Sequence, residues 1–319
     1  MFEEESVYRY ELPHHTSISL NDADMCVSKK TIYPLERLAY SDFNHGIRTS
    51  LSYTKAMSKN NYYNSIAPIY DQTRWMTDSI AEDVTDFILA LVKAKSDTTF
   101  LEPGVGTGLN VLPLVKRGYP VTCIDISQEM LDQFRQKLQS IPPNLTLLQA
   151  DASKLPFPDA NFDVVLTVHM IHTVENCQVF LDEIERVLKP SGFYLNAQWV
   201  NPPARKEFET YFKSILSKYK ETKVPKILDN LIEDTDHYLH QKGYQVDYQI
   251  AQEWTVTNTV EELLDNYKAR AYGFCWWLPD DLFQRAIEEF EAFCVDHYGT
   301  LATELSSTAK FELWAYTAN

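Results

Sequence analysis

A cluster of glycines constrains the fold of this chain more than any other feature. The segment 100–110, FLEPGVGTGLN, holds three of the nine glycines within five residues, at Gly104, Gly106 and Gly108. A short apolar run precedes them and a helix-like stretch follows. Glycine lets the backbone take positive φ and leaves room for a ligand against the main chain. A strand, a glycine loop and a helix start together predict a binding crevice at the carboxyl end of a parallel strand.

The glycine spacing separates two classes of nucleotide-binding loop. A dinucleotide-binding turn reads G-x-G-x-x-G and would need glycine at position 109, where this chain has Leu109. The chain instead reads G-x-G-x-G after an acidic residue, Glu102. This spacing disfavours a nicotinamide dehydrogenase, although taken alone it also fits a purely structural turn.

Strand-like and helix-like runs alternate after the glycine loop. Apolar runs occur at 121–124, 145–149, 162–168 and 193–200, and Asp125 ends the first of them. Helix-like stretches follow the first and the third of these runs, from Ser127 and from about Glu175. An acidic side chain at that strand end is placed to accept hydrogen bonds from both hydroxyls of a ribose. The alternation predicts an α/β fold with a Rossmann-like, doubly wound, mostly parallel sheet.

Four parts are predicted along the chain. Residues 1–56 lack clear periodicity and form an N-terminal arm or cap before the Rossmann-like core at 57–200. Residues 201–305 are expected to form a helical lid or substrate region that contributes one core strand, at 246–255. Residues 306–319 alternate as the final strand, so a seven-stranded sheet with an antiparallel last strand is expected.

Several short motifs occur in register with the predicted strands. EPGVGTG, the Asp125 strand end, QADA, LPFP, FDVV and RVLKPSG follow one another between residues 102 and 192. In order and spacing they resemble the class I S-adenosylmethionine-dependent methyltransferases. Within this family, the chain more specifically resembles the small-molecule branch, which includes the ubiquinone/menaquinone-biosynthesis type. It is detailed over about 62–200 and looser towards the C-terminus.

The resemblance implies that S-adenosylmethionine is the cofactor and that it lies across the strand ends. Its methionine part would lie on Glu102, Gly104 and Gly106, and Asp125 would hold the ribose hydroxyls. Val168, at the end of the fourth strand, would lie near the reactive methyl group. The ligand has no phosphate, which agrees with the absence of lysine from the glycine loop.

The adenine would lie beyond the second and third strands. The family pattern places Ile126 and Met130 beside the ring. Asp151 would accept a hydrogen bond from the adenine amino group, and Ala152 would contribute a backbone contact.

An upstream segment resembles the N-terminal signature of the same family. It reads Y-x-x-I-A-x-x-Y-D-x-x-R from Tyr63 to Arg74 and includes Tyr70. The resemblance implies that both residues close over the cofactor, with Arg74 pairing with its carboxylate. The alternative is that Arg74 is a solvated charge on a helix.

Two histidines follow the fourth strand, where a general base would be needed. His169 is the first candidate and His172 the second, because imidazole titrates near neutrality. Either ring could instead pack structurally at a strand-to-helix turn. Methylation of carbon or of a preformed anion would need no base.

Aromatic residues crowd the predicted lid and the end of the fifth strand. Apolar pockets with a few polar groups are the norm for small-molecule sites. Trp199, Tyr272 and Trp276 are therefore the candidates for contact with the acceptor, although most aromatic residues in such a region are ordinary core.

Composition limits the partners and the compartment. A net charge of −16 and a pI near 4.9 argue against a nucleic-acid partner. No apolar run reaches the length of a membrane span. The five cysteines have no metal-site spacing, so no metal is expected, and their odd number without a signal peptide favours the cytoplasm. The oligomeric state is open.

Three functions remain possible at this point. The first is a methyltransferase acting on an O, N or C atom of a small organic acceptor. The second is a methyltransferase acting on protein side chains, which would need an open groove. The third is a non-catalytic S-adenosylmethionine-binding regulator, which would keep the cofactor motifs and lack an acceptor pocket.

Overall fold

Seven strands form one mixed sheet in the computed structural model, which describes residues 62–219, 231–276 and 278–318; the predicted arm at 1–56 lies outside these ranges. The strands are β1 (Phe100–Pro103), β2 (Val121–Asp125), β3 (Leu145–Gln149), β4 (Phe162–Val168), β5 (Leu188–Val200), β6 (Tyr244–Thr259) and β7 (Glu304–Ala318). Their order is β3-β2-β1-β4-β5-β7-β6. The pairs among β1 to β5 are parallel, and β7 is antiparallel to both β5 and β6. The predicted fold class is confirmed.

Nine α-helices are found in the described residues. They are α1 (Tyr62–Ile66), α2 (Asp78–Leu91), α3 (Leu112–Lys116), α4 (Gln128–Gln136), α5 (Cys177–Val187), α6 (Pro203–Ser217), α7 (Leu231–Gln241), α8 (Val260–Lys268) and α9 (Asp280–Tyr298). Side-chain caps start several of them. Ser127 caps α4 by accepting from the Met130 N–H at 3.1 Å, and Thr259 caps α8 in a reciprocal pair with Glu262.

The period-2 alternation of β1 separates two cores on opposite faces of the sheet. Phe100 packs with residues of α2, α3 and α4 on one face, and Leu101 packs with α5 and α7 on the other. Both side chains are at most 1% exposed. Burial of such a side chain contributes about 1.5–3 kcal/mol. With both faces covered, ligands have access to the sheet at the carboxyl ends of its parallel strands.

A third core lies among helices α6, α8 and α9, which we call the helical lid. Its fully buried members include Phe208, Phe212, Leu264 and Phe290. All three helices come from the region 201–305, where the sequence predicts a lid. Helix α7 comes from the same region but packs on the sheet, as described above. The four-part division of the chain stays a prediction.

The strand predicted at 246–255 is longer in the structure, as β6 shows. It continues in both directions because its backbone pairs with β7, whereas the strict alternation of half-buried and exposed positions is longest from Gln252 to Asn258. It lies at the edge of the sheet and pairs with β7 from Tyr244 to Thr259.

Candidate functional site

The loop after β1 leaves one open position above the strand ends. The φ angles of Gly104, Gly106 and Gly108 are +70°, +57° and +77°. A Cβ at Gly104 would lie 2.3 Å from Met170 Sδ, and one at Gly108 would lie 2.4 Å from Phe134 Cδ2. A Cβ at Gly106 would meet nothing within 4 Å. Packing therefore requires glycine at positions 104 and 108, whereas the backbone of Gly106 borders space that a ligand can occupy.

Glu102 ends β1 with an unsatisfied carboxyl oxygen. The residue is 1% exposed, and its Oε1 accepts from Asn110 Nδ2 at 3.3 Å. Its Oε2 is buried and has no hydrogen-bond partner among the described residues. Burial raises the pKa of Glu102 well above its usual value; the Asn110 hydrogen bond opposes this effect and the nearby Asp125 carboxyl adds to it. An ammonium group would satisfy the free oxygen and favour the ionised carboxylate.

Asp125 ends β2 and holds the glycine loop in place. Its Oδ2 accepts from the Gly106 N–H at 2.7 Å and its Oδ1 accepts from the Ser127 N–H at 2.8 Å. Burial raises the pKa of Asp125, and these backbone hydrogen bonds oppose the shift. Each carboxylate oxygen has a second lone pair, so two hydroxyl groups can still bind there.

The positions predicted to hold the adenine follow β2 and β3 along the chain, and we call them the adenine ledge. Ile126 is 67% exposed, whereas Met130 and Ala152 are buried. Asp151 is exposed, and its Oδ1 accepts from the Ser153 N–H at 2.8 Å, which leaves Oδ2 available. An exposed isoleucine and an available carboxylate oxygen are groups that suit a flat ring with an amino group.

Residues 62–74, which we call the cover segment, lie against the glycine loop and α4. The apolar side of the segment packs on Met130. Asp71 accepts a hydrogen bond from Thr107 in the loop and forms an ion pair with Lys137 after α4. Two polar contacts therefore tie the segment to the elements that border the crevice.

Arg74 ends the cover segment in extended backbone, so it is not a surface charge on a helix. Its guanidinium carbon lies 4.0 Å from the ring centroid of Tyr70, and its Nη1 donates to Thr73 Oγ1 at 3.2 Å. No described carboxylate forms an ion pair with it. Arg74 is thus a cation free to bind an anionic ligand group.

His169 follows Val168 at the end of β4 with a φ of +51°. Its Nε2 accepts a hydrogen bond from the Trp199 N–H at 2.8 Å, so the neutral ring carries its proton on Nδ1. Burial lowers the pKa of His169 to about 3, with contributions from His172 and Arg74. Nε2, the ring nitrogen that could take a proton, already accepts this hydrogen bond from Trp199. The geometry therefore gives little support to His169 as a general base.

His172 lies beside His169, with 6.3 Å between the ring centroids. Burial lowers the pKa of His172 to about 4. Both rings line a cavity of about 30 Å³ that also includes Asn196 and Gln198. That volume has room for about one water molecule and is too small for an organic acceptor. The role of His172 as a base stays a prediction.

The three aromatic candidates lie where the helical lid and the cover segment meet the core. Trp199 is 4% exposed and its ring packs edge-on against Trp75, with centroids 6.1 Å apart. The Trp276 ring packs edge-on against Tyr63 of the cover segment at 5.7 Å. Tyr272 belongs to the short connection between α8 and α9 and contacts the lid core.

Nothing in the sequence predicts the contact between two residues at this boundary, Arg205 and Asn258. Arg205, at the start of α6, is 6% exposed and donates from Nε and Nη2 to Asn258 Oδ1 at 3.1 and 2.8 Å. Its guanidinium carbon lies 4.9 Å from the Trp75 ring centroid. Arg205 and Asn258 are 53 positions apart, and an arginine at a helix start normally indicates a solvated charge.

Comparison with known proteins agrees with the geometry. The methyltransferase domain family matches residues 101–196. A demethylmenaquinone methyltransferase of Tropheryma whipplei is 29% identical over 170 residues, covering 53% of this chain and 69% of that protein. The ubiquinone/menaquinone biosynthesis C-methyltransferase UbiE of Coxiella burnetii is 30% identical over 165 residues, covering 49% and 66%.

A solved structure shares the fold. It is a protein from an antibiotic biosynthesis pathway of Anabaena variabilis, described as a methyltransferase, and it superposes with a TM-score of 0.53 at 17% identity. The match covers 78% of this chain and 100% of that one.

The motifs, the strand order and these relatives define a class I S-adenosylmethionine-dependent methyltransferase. The chain belongs to that family, in the small-molecule branch represented by the ubiquinone/menaquinone type, and its cofactor is S-adenosylmethionine. In the described part of the chain, no helix is long and apolar enough to cross a membrane.

Proposed function

We propose that this methyltransferase acts on an O, N or C atom of a small organic acceptor bound between the crevice and the helical lid. The observation that carries the proposal is the unpaired Oε2 of Glu102 at the end of β1. It lies one strand from Asp125 and two residues before the glycine loop, whose Gly106 borders open space. This arrangement offers an anion, exposed backbone and a second carboxylate in one crevice.

The residues present fit the methionine and ribose parts of the cofactor. Glu102 would bind the ammonium group, and Arg74 would bind the carboxylate from the cover segment. The second lone pairs of Asp125 would accept the ribose hydroxyls. Gly104 and Gly106 would border the methionine chain.

The adenine part fits the ledge beyond β2. Ile126 and Met130 would contact the ring, and Asp151 would accept from the amino group. The backbone of Ala152 would contact the ring edge. Tyr70 would cover the cofactor from the cover segment, and Val168 would lie near the methyl group.

When bound, the cofactor supplies a methyl group on a cationic sulfur, which is already activated for displacement. The protein has to hold the acceptor atom in line with the methyl carbon, and such positioning contributes up to about 7–11 kcal/mol. Trp199, Tyr272 and Trp276 would hold the acceptor. His172 would take a proton only if the acceptor arrives protonated. C-methylation, the reaction for which the Coxiella burnetii relative is named, needs no such base when the acceptor is already an anion.

A small acceptor agrees with the partners and surroundings expected from the composition. The relatives are enzymes named for small-molecule methylation, and they give no support to a protein acceptor or to a non-catalytic role. The net charge of −16 disfavours nucleic acid. The described cysteines, Cys123, Cys177, Cys275 and Cys294, are free thiols, which suits the reducing cytoplasm.

Calorimetry with S-adenosylmethionine, S-adenosylhomocysteine and NAD tests the proposal. The first two should bind and NAD should not. Glu102→Gln should weaken S-adenosylmethionine binding by roughly 10–100-fold, because a charged hydrogen bond is lost. Glu288→Gln on the exposed side of α9 should leave it unchanged. Equal affinity in wild type and Glu102→Gln would contradict the assignment.

A further inference from the structure

Two indole N–H groups near the end of β5 are buried without an acceptor. Trp75 Nε1 and Trp199 Nε1 have no hydrogen-bond partner among the described residues. Trp199 is held in place by its own backbone N–H, which donates to His169 Nε2 at 2.8 Å. Its ring also packs edge-on against His169, with centroids 5.4 Å apart. Buried donors normally find a partner, so these two indicate an acceptor group that binds between them and their neighbours.

A buried cation lies against the first of these indoles. The guanidinium of Arg205 stacks over Trp75, and its Nη1 donates to the Tyr272 hydroxyl over a long 3.5 Å. Its closest partner, Asn258, is a neutral amide. No carboxylate in the described part of the chain forms an ion pair with Arg205. A buried charge without a counter-charge is destabilising, so it points to a ligand that supplies one.

Burial lowers the pKa of Arg205 and the negative charge of Glu262 opposes this shift, but this acid and Glu209 on the same helix as Arg205 are both bound to other groups. Glu262 accepts from Asn258 Nδ2 at 3.2 Å and completes the cap of α8. Glu209 forms an ion pair with Lys213 on its own helix. Neither acid replaces the missing counter-ion.

Arg74 adds a second positive charge to this region. Burial lowers the pKa of Arg205, and Arg74 is close enough to lower it further. The proposed cofactor site uses Arg74 for the carboxylate of S-adenosylmethionine, which leaves Arg205 for a different anion. The groups in this region are mainly hydrogen-bond donors, namely the indoles of Trp75 and Trp199, the guanidinium of Arg205 and the hydroxyl of Tyr272.

We propose that the methyl acceptor carries a carboxylate and that Arg205 binds it, with Trp75 and Trp199 as further donors. This inference rests on the proposed function. A planar guanidinium can bind both oxygens of a carboxylate, and its long bond to Tyr272 leaves Nη1 able to change partner. His169 acts here as a positioning residue, because it fixes the backbone that carries the Trp199 indole.

The test compares carboxylates with their neutral amides on protein saturated with S-adenosylhomocysteine. Benzoate, 4-hydroxybenzoate and indole-3-acetate are titrated by calorimetry beside the three corresponding amides. In wild type at least one carboxylate should bind about tenfold or more tightly than its amide. Arg205→Gln should bring that ratio below about threefold, and Arg205→Lys should keep part of it. Arg117→Gln, which removes a surface ion pair with Glu82, is the matched control and should keep the wild-type ratio.

The outcomes separate this inference from the proposed function. If wild type does not bind S-adenosylhomocysteine, the proposed function fails first. If it binds but every carboxylate binds no better than its amide, the anionic acceptor site is wrong. If Arg205→Gln loses S-adenosylhomocysteine affinity, Arg205 belongs to the cofactor site and the inference is also wrong. Unfolding by urea shows whether Arg205→Gln is folded, and Arg205→Lys provides the comparison if it is not.

Discussion

The carboxylate of Asp125 accepts the backbone N–H of Gly106 at 2.7 Å, so the end of β2 fixes the loop that follows β1. The same carboxylate binds the N–H of Ser127, which caps α4. One side chain therefore sets the positions of the glycine loop and of the helix beside the adenine ledge.

Asp125→Asn should weaken S-adenosylmethionine binding by roughly 10–100-fold. An amide has a single oxygen to accept hydrogen bonds, so its NH₂ group would face the N–H of either Gly106 or Ser127. Calorimetry measures the effect. Asp132→Asn, at an exposed position of α4, is the control and should bind normally. An unchanged dissociation constant in Asp125→Asn would show that the carboxylate does not organise the crevice.

The cofactor-free protein should lose stability through Glu102 as the pH rises. An unfolded glutamate ionises near pH 4.5, whereas the folded Glu102 carboxyl has a raised pKa and keeps its proton to higher pH. The folded state therefore binds more protons above pH 4.5, and its free energy of unfolding falls by up to about 1.4 kcal/mol per pH unit from this group.

Urea unfolding of wild type and Glu102→Gln between about pH 5 and pH 7 checks this effect. The stability of Glu102→Gln relative to wild type should increase with pH, because the amide cannot ionise. A constant difference across that range would mean that Glu102 is ionised as easily in the folded chain as in the unfolded one.

The two histidines after β4 should destabilise the protein in acid. The unfolded rings take protons below about pH 6.5, but burial lowers the pKa of His172 to about 4 and that of His169 to about 3. The free energy of unfolding should therefore fall as pH decreases from about 6.5 to about 4, by up to about 1.4 kcal/mol per pH unit for each ring. His172→Asn should give a shallower dependence in urea unfolding. His240→Asn, at an exposed position of α7, should keep the wild-type slope.

Asp71→Ala should release the cover segment and accelerate cofactor dissociation by about tenfold or more, since a hydrogen bond to Thr107 and an ion pair with Lys137 are both lost. Stopped-flow displacement of S-adenosylhomocysteine measures the rate. Asp97→Ala, in an exposed loop before β1, is the control. A rate equal to that of wild type would remove any role for the segment in holding the cofactor.

Trp199→Phe should raise the Michaelis constant for the acceptor by roughly tenfold and leave that for S-adenosylmethionine unchanged. The substitution keeps most of the ring and removes the unpaired indole N–H. Trp314→Phe is the matched control, because its ring packs at a tilt against Tyr248 on β6, with centroids 5.1 Å apart. Steady-state kinetics with both substrates checks the separation. Equal effects on the two constants would place Trp199 in general packing rather than in the acceptor pocket.

The parts of the fold set by local pattern are predictable from the sequence. Strand β2 and its terminal Asp125 follow from an apolar run with one acidic end, and the start of α4 follows from Ser127. The pattern also predicts β6, although the strand extends beyond 246–255 because pairing with β7 continues at both ends.

Contacts between distant segments are not predictable in this way. Arg205 meets Asn258 only because α6 and β6 are brought together by the sheet, and nothing in either segment marks the pair. A histidine at this position could act as a base, yet Nε2 of His169 accepts a hydrogen bond from the backbone N–H of Trp199. A residue type indicates possible chemistry, whereas its hydrogen-bond partners decide which atoms remain free.

The three lid helices are each joined closely to the sheet. Helix α6 begins three residues after β5 ends at Val200, α8 follows β6 without a gap, and α9 leads into β7. Helices that are joined to the sheet at three points cannot move away from it as a separate domain would. If the acceptor binds beneath these helices, as proposed, its entry would depend on movement at the three short connections.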